Sequence, residues 1–504
     1  MIPVDSSSTL NTELPGPASA PISKPKPAKD SLLHAVAWTG AGRWAVQLLT
    51  WVSTIETARI LAPSDYGLIG MATVYLGLVA LVNEMGLGQA AVTLRELSSK
   101  HIAQLNSVCI IAGGLLFAVS CSASVALGRF FHSPKLPAVV AVMSVTFLVS
   151  GAQVIPDALL QGDLRFKLLA SFDTTRAIIQ AITTVGLAVL GFGYWSLAFG
   201  PVAAAVAGAA MAVIARPHSL ARPKWQEIKH ALQFGGDVLG SRVAWYTYSN
   251  SDFLVAGRVL GQAPLGAYTI AWTIAATPVE KITNMMTRVT PAFFSAAQKD
   301  KMRLRGYLLG ITHALSLLTF PACIGLALVA DEFVLLVLGP KWSPAIVPLQ
   351  LLAICAAFRS ITTVLPNMLF AIRDSRFVMW NTVLAAVVFP PAFYAGSRWG
   401  TSGIAWAWIA VYPIITIPYV WRTLSALDLR SRSYLGALLP ALRTSAIMTL
   451  AVVAVRLATP HTFPLAIRFT TAVAAGIAAY AAVLFFQERD RLRDLLTLMR
   501  GDAV

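Results

Sequence analysis

Three arginines lie inside apolar stretches of the sequence with no carboxylate three or four residues away: Arg43, Arg242 and Arg359. An isolated charge in hydrocarbon costs about 2.5–3.5 kcal/mol, so such residues usually have a buried partner or a function. The guanidinium fork binds phosphate through two parallel hydrogen bonds. The three arginines therefore predict a binding site for a phosphate-bearing anion, with structural pairing between helices as the alternative.

Other polar and aromatic side chains recur near these arginines at helical spacing, which places them on shared helix faces. The complete set of candidate ligand contacts is Arg43, Gln47, Arg242, Trp245, Tyr246, Tyr248, Asn284, Arg288 and Arg359. The aromatic rings suit stacking on sugars. Aromatic residues are also common near membrane interfaces, however, so packing is the alternative role for them.

Four carboxylates in or near the same apolar stretches are candidates for binding a coupling proton or sodium ion. They are Glu84, Asp237, Asp252 and Glu280. A carboxylate inside a membrane helix also serves to neutralise a nearby arginine. That structural role is the alternative for each of the four.

No catalytic or metal-binding motif is recognisable. The seven histidines are scattered, and the four cysteines lie singly inside apolar runs. No P-loop or nucleophile-elbow motif is present. The sequence therefore predicts a protein that is not an enzyme, with no catalytic residues, no metal site and no cofactor.

Composition indicates that the lipid bilayer is the solvent of this chain. Hydrophobic residues make up 57% of it and charged residues only 12%, whereas soluble domains carry about 25% charged residues. The net charge is +16, and the basic residues lie between apolar runs. This arrangement favours membrane orientation and contact with anionic lipids over nucleic-acid binding.

Stretches of about 20 apolar residues predict fourteen transmembrane helices, so the expected fold is all-α and polytopic. The first, seventh and eighth are the least apolar. The predicted spans are 33–61, 66–88, 105–128, 137–160, 168–191, 194–215, 234–260, 264–290, 307–330, 344–371, 377–396, 401–421, 437–457 and 465–486.

Loop charges predict the orientation. With the N-terminus inside, 24 of the 39 Lys and Arg residues fall on the cytoplasmic side and seven on the other. Such an excess marks the cytoplasmic side of a membrane protein. We expect both termini to be cytoplasmic, and residues 1–32, rich in Ser, Pro and Lys, to form a disordered cytoplasmic tail.

An internal repeat relates the two halves of the chain. Three pairs of short motifs recur in the same order, at offsets of 199, 211 and 207: 59–67 with 258–266, 163–166 with 374–377, and Gly193 with Gly400. Six helices per unit give two pseudo-symmetric lobes with the same orientation. The expected domains are an N-lobe at 33–216, a linker at 217–233, a C-lobe at 234–424, two extra helices within 425–486 and a tail at 487–504. The offset of 199 also relates Arg43 to Arg242, so we expect both in one hydrated central cavity.

Four segments carry a resemblance to a known family. They are "ARILAPSDYGLIGMATVY" (58–75), "GLGQAAV" (86–92), "LLQGDLRFKLLA" (159–170) and "GYWSLAFG" (193–200). The chain resembles the polysaccharide-transport branch of the multidrug/oligosaccharidyl-lipid/polysaccharide (MOP) exporter superfamily, and in particular the Wzx-type O-antigen and exopolysaccharide flippases.

The resemblance implies a function. The substrate would be an undecaprenyl-pyrophosphate-linked oligosaccharide, moved from the cytoplasmic to the periplasmic leaflet of a bacterial-type inner membrane by alternating access. Arg43 and Arg242, with Arg359 behind them, would neutralise the pyrophosphate while the polyprenyl tail stays in lipid. Polysaccharide polymerase and export machinery would be the partners. The alternatives are a multidrug antiporter of the same superfamily and, from another class, a membrane O-antigen polymerase or ligase.

Overall fold

The computed structural model describes residues 46–84, 98–217, 219–222, 242–287, 294, 297–298, 300–460 and 462–487, without the side chains of 82–84, 284–287 and 487. The chain divides into two units, residues 1–48 and residues 49–504. In the first unit only residues 46–48 are described, and they are helical. All contacts considered below lie within the second unit.

Fourteen long helices, α1 to α14, account for most of the described residues, and no strand occurs among these residues. Their order and positions confirm the predicted helices. They are 46–60, Pro63–Glu84, Ser99–Phe130, Leu136–Gly162, Phe166–Val189, Trp195–Ala215, 242–255, Gln262–Thr287, Lys301–Leu328, the pair Ile346–Thr362 and Val364–Ala371 (together α10), Ser375–Gly396, Gly400–Ala426, Ser431–Ala458 and Leu465–Gln487.

Within the described part of the chain, nine stretches are long and apolar enough to span a membrane, and one of them, Ser375–Ala426, contains both α11 and α12. The helices outside these stretches are α1, α5, α7 and α8. Of these, α1 and α7 are described only over 46–60 and 242–255, which is too short for such a stretch. The third, α8, is among the spans that the sequence predicts to be least apolar. The fourth, α5, carries Lys167, Asp173 and Arg176, which lower its mean hydropathy.

The two halves of the chain touch at one end of the bundle through reciprocal contacts, which we call the end seal. At the end of α1, Arg59 Nε donates to the carbonyl oxygen of Val337 at 2.6 Å, and Lys341 Nζ donates to that of Leu61 at 2.7 Å. After α7, Arg258 donates to the ring of His132. The end seal lies in segments predicted to be periplasmic, so the structure is closed at that end.

At the opposite end, predicted to be cytoplasmic, each half has a similar ion pair. Asp163, after α4, lies 3.5 Å from Arg216 at the end of α6. Asp374, before α11, lies 2.6 Å from Arg422 near the end of α12. The two halves thus repeat their contacts as well as their helix order.

The last two helices are attached to the C-terminal half by a buried carboxylate. Glu332 follows α9 and is 1% exposed. Its Oε1 lies 2.9 Å from Arg456 Nη2 of α13 and 3.2 Å from Arg468 Nη2 of α14. Breaking such a buried pair by removing one partner costs about 3–5 kcal/mol, so this cluster holds α13 and α14 in place.

Candidate functional site

A cavity of about 870 Å³, which we call the central cavity, lies in the C-terminal half, between α7, α10, α11 and α12. Four of the predicted contact residues, Arg242, Trp245, Tyr248 and Arg359, line it. Arg242 stands at the described start of α7, near the predicted cytoplasmic end, whereas Arg359 lies in the middle of α10. The cavity therefore runs from that end of the bundle to the middle of the membrane-spanning segments.

Arg359 is held by aromatic rings. Its Cζ atom lies 4.8 Å from the ring centroid of Trp272 and 5.1 Å from that of Trp408. Among the described residues, no carboxylate lies within 4.0 Å of the guanidinium, which also donates no hydrogen bond to them. A cation–π contact attracts the guanidinium to the face of the ring but does not use its N–H groups as hydrogen-bond donors, so these remain available to a ligand. Arg359 is thus fixed in position and able to bind an anion.

A buried carboxylate orients one of the two rings. Asp252, on α7, is fully buried. It accepts hydrogen bonds from Trp408 Nε1 at 2.9 Å and from the Tyr268 hydroxyl at 2.8 Å. A buried acceptor with two such donors fixes their rotamers, because an unpaired buried donor costs about 1–3 kcal/mol. Asp252 therefore acts on Arg359 through Trp408.

The wall of the cavity around Trp408 is aromatic. Its ring centroid lies 4.7 Å from that of Phe389, and Phe389 stacks on Tyr248 at 5.8 Å. One turn further along α12, the Tyr412 ring lies 6.4 Å from that of Trp408, and its hydroxyl is 2.6 Å from that of Thr362. Flat rings with polar edges suit the apolar faces and hydroxyl groups of sugars. The cavity thus combines a cationic group with a surface on which a glycan can stack.

A smaller pocket of about 180 Å³ lies in the N-terminal half, between α1, α2, α5 and α6. Its polar lining consists of the hydroxyl and amide groups of Thr50, Ser53, Thr54, Thr57, Tyr66, Gln180 and Thr184. No arginine or lysine and no carboxylate is among its lining residues. The lining of this pocket is thus uncharged, whereas the residues that line the cavity at Arg359 include three arginines.

The remaining predicted residues lie elsewhere or outside the described residues. The Tyr246 hydroxyl donates to the carbonyl oxygen of Val74 at 2.9 Å, which ties α7 to α2. Gln47 is half-buried on α1, and Glu280 is exposed on α8. Outside the description are the residues Arg43, Asp237 and Arg288 and the side chains of Glu84 and Asn284. The meeting of Arg43 with Arg242 thus stays a prediction.

Several residues in the cavity or around Arg359 lie outside the candidate set. Trp272 is not in the candidate set, because it lies far from Arg359 in sequence and on another helix. Trp408 and Tyr412 are spaced by four residues on α12, a spacing that could have marked them as one face. Arg376, in the first turn of α11, also lines the cavity.

A bundle of membrane-spanning helices around a cavity of about 870 Å³ that arginines and aromatic side chains line defines the class of this protein, a polytopic membrane transporter. The model of the family described as "Polysaccharide biosynthesis protein" matches residues 57–347, more than half of the chain. The chain therefore belongs to this family.

Two relatives of this chain are named for the biosynthesis or transport of polysaccharides. The chain is 24% identical over 399 residues to the lipopolysaccharide biosynthesis protein WzxC of Escherichia coli (strain K12), covering 77% of this chain and 80% of that protein. It is 24% identical over 487 residues to the succinoglycan biosynthesis transport protein ExoT of Rhizobium meliloti (strain 1021), covering 92% and 95%.

Among solved structures, the fold is similar to that of the lipid II flippase MurJ in an inward closed conformation. The TM-score is 0.74 at 14% sequence identity, and the match covers 90% of this chain and all of that one. At this identity the likeness concerns the fold.

Proposed function

We propose that this protein is a flippase that moves an undecaprenyl-pyrophosphate-linked oligosaccharide from the cytoplasmic to the periplasmic leaflet. The observation that carries the proposal is Arg359, which lines the cavity with its guanidinium against the rings of Trp272 and Trp408. The relatives named for lipopolysaccharide biosynthesis and succinoglycan transport support a role in exporting such a glycan.

The cavity suggests how the substrate binds. The pyrophosphate contacts Arg359, with Arg242 and Arg376 nearer the mouth, because charge-assisted bonds to guanidinium are strong away from bulk water. The first sugars stack on Tyr248 and Tyr412. The polyprenyl chain stays in the bilayer, where its CH₂ groups need no protein contact.

We propose an orientation with both termini in the cytoplasm of a bacterial-type inner membrane. In that orientation the cavity opens toward the cytoplasm, and the end seal closes the periplasmic side. Release then requires separation of the end seal, as alternating access demands. Polysaccharide polymerase and export machinery are the proposed partners on the periplasmic side.

The candidates for binding a coupling proton or sodium ion are Glu84, Asp237, Asp252 and Glu280. The hydrogen bonds of Asp252 to Trp408 and Tyr268 favour a positioning role for this residue.

The rival function, a multidrug antiporter for cationic compounds, requires an acidic cavity. Arg242, Arg359 and Arg376 line this one instead.

The proposal is tested in cells whose surface glycan depends on this protein. Depletion should stop surface glycan and cause lipid-linked oligosaccharide to accumulate in the cytoplasmic leaflet, without changing sensitivity to cationic drugs. Normal surface glycan after depletion, together with increased drug sensitivity, would favour the antiporter.

A further inference from the structure

A second cationic cavity, which we call the rim pocket, opens at the predicted cytoplasmic end of the C-terminal half. Its volume is about 590 Å³, and it lies between the ends of α9, α10, α11 and α12. Its charged lining residues are Lys301, Arg373, Arg422 and Asp374. Three cationic side chains thus surround a space that also contains one carboxylate.

Two of the three cations already have carboxylate partners. Lys301 Nζ lies 2.7 Å from Asp428 Oδ2, and Arg422 Nε lies 2.6 Å from Asp374 Oδ2. Arg373 is exposed and has no ion-pair partner among the described residues. Its φ of 64° lies in the left-handed region, which is strained for a side chain of this kind. The cationic charge that remains for a ligand is therefore centred on Arg373.

By the internal repeat, the N-terminal half has a turn equivalent to the one that contains Arg373. The turn between α4 and α5 also contains a left-handed residue, but that residue is Leu164, with a φ of 55°. The turn geometry is shared by the two halves, whereas the arginine at this position is found in the C-terminal half. Arg373 therefore distinguishes the rim pocket from the equivalent turn of the N-terminal half.

The rim pocket is adjacent to the central cavity along the chain. Asp374 lines the rim pocket, and the next two residues, Ser375 and Arg376, line the central cavity. The start of α11 therefore separates the two. A phosphate group that leaves the rim pocket meets Arg376 as the next cation on the way to Arg359.

We infer that the rim pocket binds the phosphate group of a lipid headgroup at the cytoplasmic leaflet, before the substrate enters the central cavity. Basic pockets between membrane helices on this side are suited to phosphate-bearing headgroups. The bound lipid is either the polyprenyl pyrophosphate substrate or an anionic phospholipid, and the chemistry of recognition is the same. As a receiving site for substrate, the inference rests on the proposed function.

The experiment uses the full-length protein in nanodiscs of phosphatidylcholine and native mass spectrometry to count and titrate bound lipids. The probes are undecaprenyl pyrophosphate and phosphatidylglycerol. The variants are Arg373→Ala in the rim pocket, Arg359→Ala in the central cavity and Arg303→Ala as a control. Arg303 is also on the predicted cytoplasmic side, its side chain is 74% exposed, and it pairs with Asp300, the N-cap residue of its own helix.

We expect the wild-type protein and Arg303→Ala to hold two polyprenyl pyrophosphates. Arg373→Ala should weaken one of the two sites roughly tenfold, which corresponds to the loss of one charge-assisted bond. Weakening for both lipids supports a general headgroup site, and weakening for the polyprenyl pyrophosphate alone supports a receiving site for substrate.

Unchanged binding in Arg373→Ala, or an equal loss in Arg303→Ala, overturns the inference whatever Arg359→Ala does. The proposed function has its own readout in this experiment. If Arg359→Ala retains wild-type binding while Arg373→Ala does not, the inference about the rim pocket is supported and the proposed phosphate site at Arg359 is contradicted.

Discussion

Gly67 and Gly266 occupy equivalent positions in the two halves and pack reciprocally where α2 crosses α8. A Cβ atom on Gly67 would lie 1.7 Å from the carbonyl oxygen of Gln262, and one on Gly266 would lie 1.8 Å from that of Pro63. Both pairs of equivalent residues, Gly67 with Gly266 and Pro63 with Gln262, are separated by 199 positions. The contact therefore has the local two-fold symmetry that the repeat predicts.

Alanine at Gly67 or at Gly266 should destabilise the protein, because the added methyl group meets backbone that cannot move without separating α2 from α8. Overpacking of this kind costs about 1–3 kcal/mol or more. The measurement is the midpoint of thermal unfolding in detergent. Gly310→Ala in α9 is the matched control, since a Cβ there meets no atom within 4 Å. An equal midpoint in all three variants would contradict the close packing of the two helices.

Two substitutions of Asp252 distinguish a role in positioning Trp408 from a role in ion coupling. Asp252→Asn keeps an oxygen that accepts from Trp408 and Tyr268, so we expect most of the transport activity to remain. Asp252→Ala leaves two buried donors unpaired at about 1–3 kcal/mol each, so it should lower both stability and transport. Transport is measured as surface glycan, with membrane protein quantified in parallel. Complete loss of transport in a stable Asp252→Asn variant would favour the coupling role.

Weakening the end seal should increase opening at the predicted periplasmic end. Arg59→Ala removes the hydrogen bonds to the carbonyl oxygens of Val337 and Leu336. In a cysteine-free background with one cysteine at Ser133, which is 1% exposed, we expect faster labelling by a membrane-impermeant thiol reagent. Arg129→Ala, an exposed arginine at the same end, should leave the rate unchanged. If both variants label at the wild-type rate, Arg59 does not hold this end closed.

Much of the fold could be predicted from the sequence, because a helix that crosses hydrocarbon needs a long apolar run whatever it packs against. The repeat can also be recognised from the sequence, because short motifs at helix ends recur in the same order in both halves. One detail differs. The sequence motifs align Asp163 with Asp374, whereas the left-handed residues of the two turns are Leu164 and Arg373. The two carboxylates thus lie on opposite sides of equivalent turns, yet each binds an arginine.

The surroundings of Arg359 could not be predicted in the same way. The sequence identifies an arginine without a local carboxylate, but its partners, Trp272 and Trp408, come from two other helices. Contacts between distant helices depend on how the bundle packs, and helical spacing carries no information about them. For the same reason the sequence did not identify the small pocket of the N-terminal half, which Thr50 and Thr54 line.

The most direct test of the account is the rate of lipid-linked oligosaccharide transfer across reconstituted proteoliposomes. Arg359→Ala should lower that rate by at least about tenfold, since a guanidinium bonded to a phosphate contributes about 1.5–3 kcal/mol. Arg398→Ala, an exposed arginine outside the cavity, should transfer at the wild-type rate. Wild-type transfer by a correctly folded Arg359→Ala protein would contradict the claim that this residue binds the pyrophosphate.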